Sequence, residues 1–264
     1  MDLELRDKVG LVTGASKGIG KAVALGLAAE GARVVVVARD GGLLDKVAAE
    51  CRDRSRADAV PIAADLSKLD EVERVVATAH RDCGRVDILV NNAGAIRGGA
   101  FVDIPDAQWI NDWNLKLLGY IRMARAVFPI MQRQGGGRIV NVVGAAARNP
   151  TAVYLTGGAA NAALVNFTKG LADLGAESNI LVTAVSPAAT RTERWDSLME
   201  QQAKASGKSV AEMRAAAQAP YKLGRIATPE DIADVVCFLT SARASFITGI
   251  CITVDGGATR GVYP

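Results

Sequence analysis

One stretch near the start restricts the fold more than any other. Val9-Gly10-Leu11-Val12-Thr13 runs straight into Gly14-Ala15-Ser16-Lys17-Gly18-Ile19-Gly20, followed by an Ala/Leu-rich segment in which Ile19, Val23 and Leu27 recur at spacing four. An apolar run, a glycine turn and an amphipathic repeat predict strand, turn and helix in immediate succession. Glycines in such a turn let backbone approach phosphates, and the free amides and dipole of the helix N-terminus favour negative charge. A glycine turn alone is common. After the first strand of a βαβ unit it is a pyrophosphate cradle, here of Gly14, Ser16, Lys17, Gly18, Ile19 and Gly20. Gly31 stands where a helix C-cap belongs.

The alternation continues along the chain. Apolar runs at Val34–Val37, Val86–Val90, Ile139–Val143, Ile180–Val185 and Ile250–Val254, with a weaker one at Val60–Ala63, read as buried strands. Near-continuous apolar strands suit a parallel sheet covered on both faces. Ser67-Lys68-Leu69-Asp70 reads as a capping box opening a helix that carries Val72, Val75, Val76 and Ala79. The expected fold is α/β: a Rossmann-type, doubly wound parallel sheet in three α/β/α layers. No repeat or proline-rich linker divides the chain, so residues 1–264 are expected to form a single domain. Residues 190–220 differ, being polar, strandless and rich in Ala, Gln and Lys. They read either as a helical lid inserted over the C-terminal edge of the sheet or as a plain surface excursion.

Composition excludes several functions. With 31 Lys+Arg against 28 Asp+Glu the charge is +3, and no basic block stands out, so no nucleic-acid partner is expected. The chain has one histidine, His80, which reads as a surface residue on a polar helix face. That leaves no His-rich metal site, and a Ser-His-Asp triad would have to use it. Cys51, Cys83, Cys237 and Cys251 are scattered, as free thiols in a reducing cytoplasm would be. The charged start lacks an apolar signal core, and no apolar run approaches the about 18 residues that span a bilayer. A cytoplasmic protein with no membrane partner is the expectation.

Nineteen residues past Gly20, where the second strand ends, stand Arg39 and Asp40. An acidic group there would hold the ribose 2′-hydroxyl of NAD, whereas an arginine pairs with the 2′-phosphate of NADP. Arg39, with Lys17 adding a second positive charge, points to NADP(H); Asp40 leaves NAD open.

Further motifs follow in order: Asp65-Leu66, Asn91-Asn92-Ala93-Gly94, Asn114, Gly137-Arg138-Ile139-Val140-Asn141, Ser186-Pro187, and Phe246-Ile247-Thr248-Gly249 with Val254-Asp255-Gly256-Gly257. Together with the glycine turn they make the chain resemble the short-chain dehydrogenase/reductase family over nearly its whole length. The resemblance implies a Rossmann-type sheet, a nicotinamide cofactor, oxidoreductase chemistry on a small carbonyl or hydroxyl compound, and a tetramer or dimer. It also implies cofactor contacts from Asp65 (to the adenine), Leu66, Asn91, Ala93, Gly94 and Pro187. Thr190 and Thr192 would lie near the nicotinamide end. Gly224–Asp231 and the helix to Leu239 match the region family members use for subunit packing. Thr228-Pro229 is also an N-cap and N1 pair, which explains those residues without an interface. Pro187-Ala188 replaces the usual Pro-Gly.

The family's chemistry uses a Ser, a Tyr and a Lys four residues after the Tyr. Hydride addition to a carbonyl builds an alkoxide that needs a proton. Tyrosine, with a pKa of about 10, is poorly suited near neutrality unless a cation stabilises its phenolate. Alignment on Gly137–Asn141 puts Gly144 at the Ser position. Alignment on Asn161-Ala-Ala-Leu puts Gly157 at the Tyr position and Asn161 at the Lys position; Gly144 and Gly157 stand thirteen apart, a spacing the family shares. All three side chains are replaced. Tyr154, three residues before Gly157, is the nearest phenol, but four residues after it comes Gly158. Thr151 and Thr156 are far weaker acids. Asn114 matches an Asn that organises a water relay in the family, and it also reads as a helix-kink residue. Three functions stay open: an oxidoreductase using Tyr154; a silent cofactor-binding subunit that pairs with an active relative or regulates by cofactor binding; and a different, proton-abstracting enzyme on the same scaffold.

Overall fold

The computed structural model describes residues 1–54 and 58–259. The elements are β1 (Val9–Thr13), α1 (Gly18–Ala29), β2 (Arg33–Ala38), α2 (Gly41–Arg54), β3 (Ala59–Ala63), α3 (Leu69–Cys83), β4 (Ile88–Asn91), α4 (Asp106–Trp113), α5 (Gly119–Arg133), β5 (Gly137–Val142), α6 (Leu155–Gly175), β6 (Ile180–Pro187), α7 (Glu193–Ser206), α8 (Val210–Gln218), α9 (Pro229–Thr240) and β7 (Cys251–Val254). A wider π-helical turn, Asn114–Leu118, joins α4 to α5.

The strands form one parallel sheet in the order β3-β2-β1-β4-β5-β6-β7. Successive strand residues face opposite layers. Val12, Val34 and Val36 pack under α1, α2 and α9 with Val23, Leu44 and Val236, while Leu11, Val35 and Leu89 pack under α3 and α5 with Val75 and Met123. All these side chains are fully buried or nearly so. At about 25 cal/mol per Å² of apolar surface, burial on both faces is the main drive to this sheet. The order reverses between β1 and β4, where their C-terminal ends part and leave a crevice.

Local signals account for most helix ends. Gly31, at φ 85°, follows α1 and donates its N–H to the Ala28 carbonyl at 2.8 Å. Thr228 caps α9, its side chain accepting from Asp231 N–H while the Asp231 carboxylate accepts from Thr228 N–H, with Pro229 at the first turn. The capping box expected at Ser67 does not form. The residue before α3 is Lys68, without a side-chain cap, because Ser67 turns back and gives both its N–H and its hydroxyl to Asp65 Oδ1 (3.1 and 2.8 Å). His80 is half-buried in the last turn of α3 rather than on the surface, and its Nδ1 is shielded from solvent.

Residues 190–220 fold as α7 and α8 on a small apolar cluster of Trp195, Met199 and Ile226. Among the described residues no helix is long and apolar enough to cross a membrane.

Candidate active site

A cleft of about 1410 Å³ opens at the β1/β4 crevice. Its floor is stitched by one side chain. Thr13 Oγ1 donates to the Val90 carbonyl (3.3 Å) and accepts from the N–H groups of Asn92 (2.9 Å) and Ala93 (3.1 Å). Asn92 Nδ2 returns to the Thr13 and Gly14 carbonyls. The glycines are sterically required. A Cβ on Gly14, whose φ is +65°, would stand 2.9 Å from Ala93 Cα, and one on Gly20 would stand 2.3 Å from the Gly14 carbonyl oxygen.

Of the residues expected to hold a cofactor, Gly14, Ser16, Lys17, Gly18, Ile19, Arg39, Asp65, Leu66, Ala93, Gly94 and Thr192 line this cleft. Gly20 packs beneath it. Asn91 is fully buried in β4 and gives Nδ2 to Asn141 Oδ1 at 3.0 Å, so Asn92, the next residue, lines the cleft. Pro187 ends β6. Thr190 is buried, its hydroxyl turned to the Ala188 carbonyl. From the 190–220 segment Glu193 and Ser197 join Thr192 in the lining, so the start of α7 borders the cleft.

Two details concern the adenosine end. Arg39 and Asp40 are both exposed and both line the cleft, and Asp40 Oδ1 accepts the Leu43 N–H at 3.0 Å at the start of α2. Desolvation pushes the Asp65 carboxyl up, but hydrogen bonds from the Ser67 hydroxyl and amide outweigh it. With Lys68 and Arg39 nearby, the net direction is down and Asp65 stays ionised. An open glycine cradle at a helix N-terminus, with an exposed guanidinium beyond the second strand, fits a dinucleotide.

The sequence profile of short chain dehydrogenases matches residues 8–203. The chain belongs to the short-chain dehydrogenase/reductase family. Within this oxidoreductase family it is 35% identical to a 2,3-dihydro-2,3-dihydroxybenzoate dehydrogenase of Bacillus subtilis (strain 168) over 263 residues, 98% of each chain. An L-sorbose reductase from Gluconobacter frateurii, solved with NADPH and L-sorbose, superposes with a TM-score of 0.96 at 31% identity. The match covers 99% of this chain and 100% of that one. An NAD+-bound xylitol dehydrogenase matches at 0.90 and 28%, over 96% and 100%. Relatives in this family therefore bind either nicotinamide dinucleotide.

Gly144, Gly157 and Asn161, set by spacing against the family's Ser, Tyr and Lys, follow β5 and open α6. Gly144 follows β5, and Asn161, 3% exposed on α6, faces it: a Cβ on Gly144 would stand 3.0 Å from Asn161 Nδ2. Asn161 Oδ1 is buried with no hydrogen-bond partner. At Gly157 the vacant volume is filled. A Cβ there would fall 2.0 Å from Tyr154 Cε1 and 2.1 Å from Cζ, so the Tyr154 ring lies over the bare Gly157 backbone. Tyr154 is the residue immediately before α6, half-buried at the end of a 3₁₀ turn.

That turn is tightly held. Gly99 N–H donates to the Val153 carbonyl (2.9 Å), Trp113 Nε1 to the Thr156 carbonyl (3.0 Å) and Thr156 Oγ1 to the Arg97 carbonyl (3.2 Å). A buried ladder runs from Asn91 through Asn141 to Thr168 Oγ1 (2.9 Å), fixing α6 against β5. Asn114 lines the cleft, giving Nδ2 to the Ser67 carbonyl (2.8 Å) and accepting from Arg122 Nη1 (2.8 Å). Its side chain thus anchors the π-turn to the loop after β3.

Sequence reasoning passed over Lys116. It extends from the π-turn past Gly94, where a Cβ would lie 2.5 Å from Lys116 Cδ. Its Nζ donates to the Val142 carbonyl (2.9 Å) and the Tyr120 hydroxyl (3.2 Å). The available signal was a lysine two residues after Asn114, at a spacing that an ordinary α-helix would have turned elsewhere.

Proposed function

We propose that this chain is an active NADP(H)-linked oxidoreductase of small carbonyl or hydroxyl compounds, with Tyr154 as its proton donor and acceptor. The observation that carries this reading is the Tyr154 ring lying over Gly157, so that a phenol again occupies the place from which the family's tyrosine projects. When bound, the nicotinamide supplies or accepts the hydride. The chain's own part is to hold the dinucleotide on Gly14–Gly20, to give the 2′-phosphate a partner in Arg39, and to move one proton at Tyr154 Oη. In the reductive direction that proton goes to the oxygen of the former carbonyl. Arg39 supports NADP(H) over NAD(H), as the exposed cation at the cleft edge beyond β2, where its neighbour Asp40 spends Oδ1 on the Leu43 N–H.

Free cysteines at 51, 83, 237 and 251 suit a reducing cytoplasm. Exposed Leu174, Phe246 and Ile250 suit a homo-oligomer, a dimer or tetramer.

The test is NADPH- and NADH-dependent turnover across a panel of ketones, ketoses and aldehydes, for wild type and Tyr154→Phe. Wild-type turnover that falls about 100-fold or more in the variant is expected, in line with loss of a general acid. NADPH binding without turnover, together with co-purification of a relative carrying the usual Ser, Tyr and Lys, would instead establish a silent subunit.

A further inference from the structure

A proton donor needs more than a place. A phenol serves near neutral pH only if something stabilises its anion, and the family's lysine position holds the neutral amide of Asn161. We propose that Lys116, reaching in from the π-turn between α4 and α5, supplies the positive charge that steadies the Tyr154 phenolate, in place of a lysine on α6. This inference rests on the reading of Tyr154 given above.

The geometry converges at the C-terminal end of β5. Lys116 Nζ donates to the Val142 carbonyl at 2.9 Å, to the Tyr120 hydroxyl at 3.2 Å and, at the limit of a hydrogen bond, to the Val143 carbonyl at 3.5 Å. Val143 is the residue before Gly144. Tyr120 also gives its hydroxyl to the Val142 carbonyl at 2.9 Å, and the Lys116 ammonium stands 5.1 Å from the Tyr120 ring centre. These three partners are neutral, so the contacts orient the ammonium without cancelling its charge. Tyr154 stands near enough to act on the same hydroxyl: burial first, and then the negative charge of a Tyr154 phenolate, hold the Tyr120 hydroxyl well above the ordinary tyrosine range. Tyr120 therefore stays neutral between the two.

The backbone has been shaped for this reach. Five residues, Asn114–Leu118, are wound as a π-turn, a feature that costs helix regularity and concentrates at functional sites. Its widening carries the Lys116 stem over Gly94, a residue of the cleft wall, where any Cβ would collide with Lys116 Cδ. The stem thus passes the cleft wall and the ammonium ends against the carbonyls of Val142 and Val143 at the C-terminal end of β5. In reduction, hydride adds to the carbonyl carbon, the C=O π pair becomes an alkoxide lone pair, and the Tyr154 O–H bond breaks as its proton passes to that oxygen. The phenolate left behind is held by Lys116 until water reprotonates it. Lys116 keeps its own protons and acts through Tyr154, as a positioning residue.

Tyrosine scarcity makes the test clean, since the chain has four. Protein labelled with ¹³Cζ-tyrosine gives few resonances, and Tyr154→Phe assigns one of them. The Tyr154 titration midpoint is expected to move to higher pH in Lys116→Met and to return toward wild type in Lys116→Arg. Carbonyl reduction at neutral pH is expected to fall about tenfold or more in Lys116→Met, with Lys116→Arg recovering part of it. Far-UV spectra and thermal melts of both variants confirm folding, and NADPH fluorescence reports the nucleotide site separately.

An unmoved Tyr154 midpoint in well-folded Lys116→Met overturns the inference, and loss of NADPH affinity alone would make Lys116 a nucleotide contact instead. If Lys116→Met does not fold, the midpoint in folded Lys116→Arg and Lys116→Gln decides: equal midpoints in the two overturn it. A wild type without turnover, whose Tyr154 midpoint still follows Lys116, defeats the reading of an active reductase and leaves the pairing standing.

Discussion

Gly157→Ala tests where the Tyr154 ring lies. A Cβ at position 157 would be 2.0 Å from Cε1, 2.1 Å from Cζ and 2.7 Å from Cδ1 of Tyr154. Favourable carbon contacts are about 3.5–4.0 Å, so the ring must leave its place. Gly157 is the third residue of α6 and has no positive φ, so its backbone does not require glycine. Alanine there should gain up to about 1 kcal/mol of helix preference, less than mid-helix because the first turn is only partly bonded. Displacing a packed ring costs about 1–3 kcal/mol. In wild type the substitution should therefore be neutral to destabilising, by about 0–3 kcal/mol. In a Tyr154→Ala background the obstacle is gone, and the same substitution should stabilise by up to about 1 kcal/mol. The double-mutant cycle then gives a coupling of about 1–3 kcal/mol. Urea unfolding of the four proteins, followed by circular dichroism at 222 nm, measures it. Equal stabilisation by Gly157→Ala in both backgrounds would refute the placement of the ring.

Arg39→Ala should weaken NADPH binding about 10- to 100-fold and leave NADH nearly unchanged, the loss expected for one charge-assisted contact to a phosphate; titrating both nucleotides by fluorescence checks it. Asp231→Asn should cost about 0.5–2 kcal/mol at pH 7, the range for losing a helix cap. Bonds from the Arg225 guanidinium, then the Thr228 amide, hold the Asp231 carboxyl far below the usual carboxylate range. A carboxyl whose folded pKa is depressed contributes stability that is present above its unfolded pKa of about 4 and lost as pH falls. The gap between wild type and Asp231→Asn should accordingly close on acidification below about pH 4, which melting at pH 7, 5 and 3 would show.

The strands, α1, Gly31 and the Thr228 cap were legible because each rests on a local signal: an apolar run, a spacing of four, a glycine past a helix end, a Thr-Pro pair. The glycine cradle was legible for the same reason. What failed depended on partners distant in sequence. Ser67 looked like a cap until the Asp65 carboxylate, two residues back, took its hydroxyl. Asn91 looked like a cleft residue, but strand alternation turns it inward to Asn141, fifty residues on. Spacing set Gly144, Gly157 and Asn161 against the family's Ser, Tyr and Lys, but it carries no sign that the Tyr154 ring folds forward over Gly157. Lys116 was hidden most deeply, because a π-turn adds a residue to the helical repeat and shifts which side chains face inward, and no composition or periodicity announces it.

The π-turn also changes what kind of object the site is. A tyrosine and a lysine four apart on one helix are a local pair, whose separation survives as long as that helix does. Tyr154 precedes α6 and Lys116 lies between α4 and α5, so the proposed pairing is tertiary, set by how two elements dock. The dock is marked by single bonds such as Trp113 Nε1 to the Thr156 carbonyl. A slip of α4 against α6 could part the two side chains while every strand of the sheet and the whole glycine cradle stayed in place. In such an arrangement binding and chemistry can drift apart: the nucleotide site has its own foundations in β1 and β4, and the proposed pair depends on how the turn before α6 docks against α4 and the segment at Arg97–Gly99.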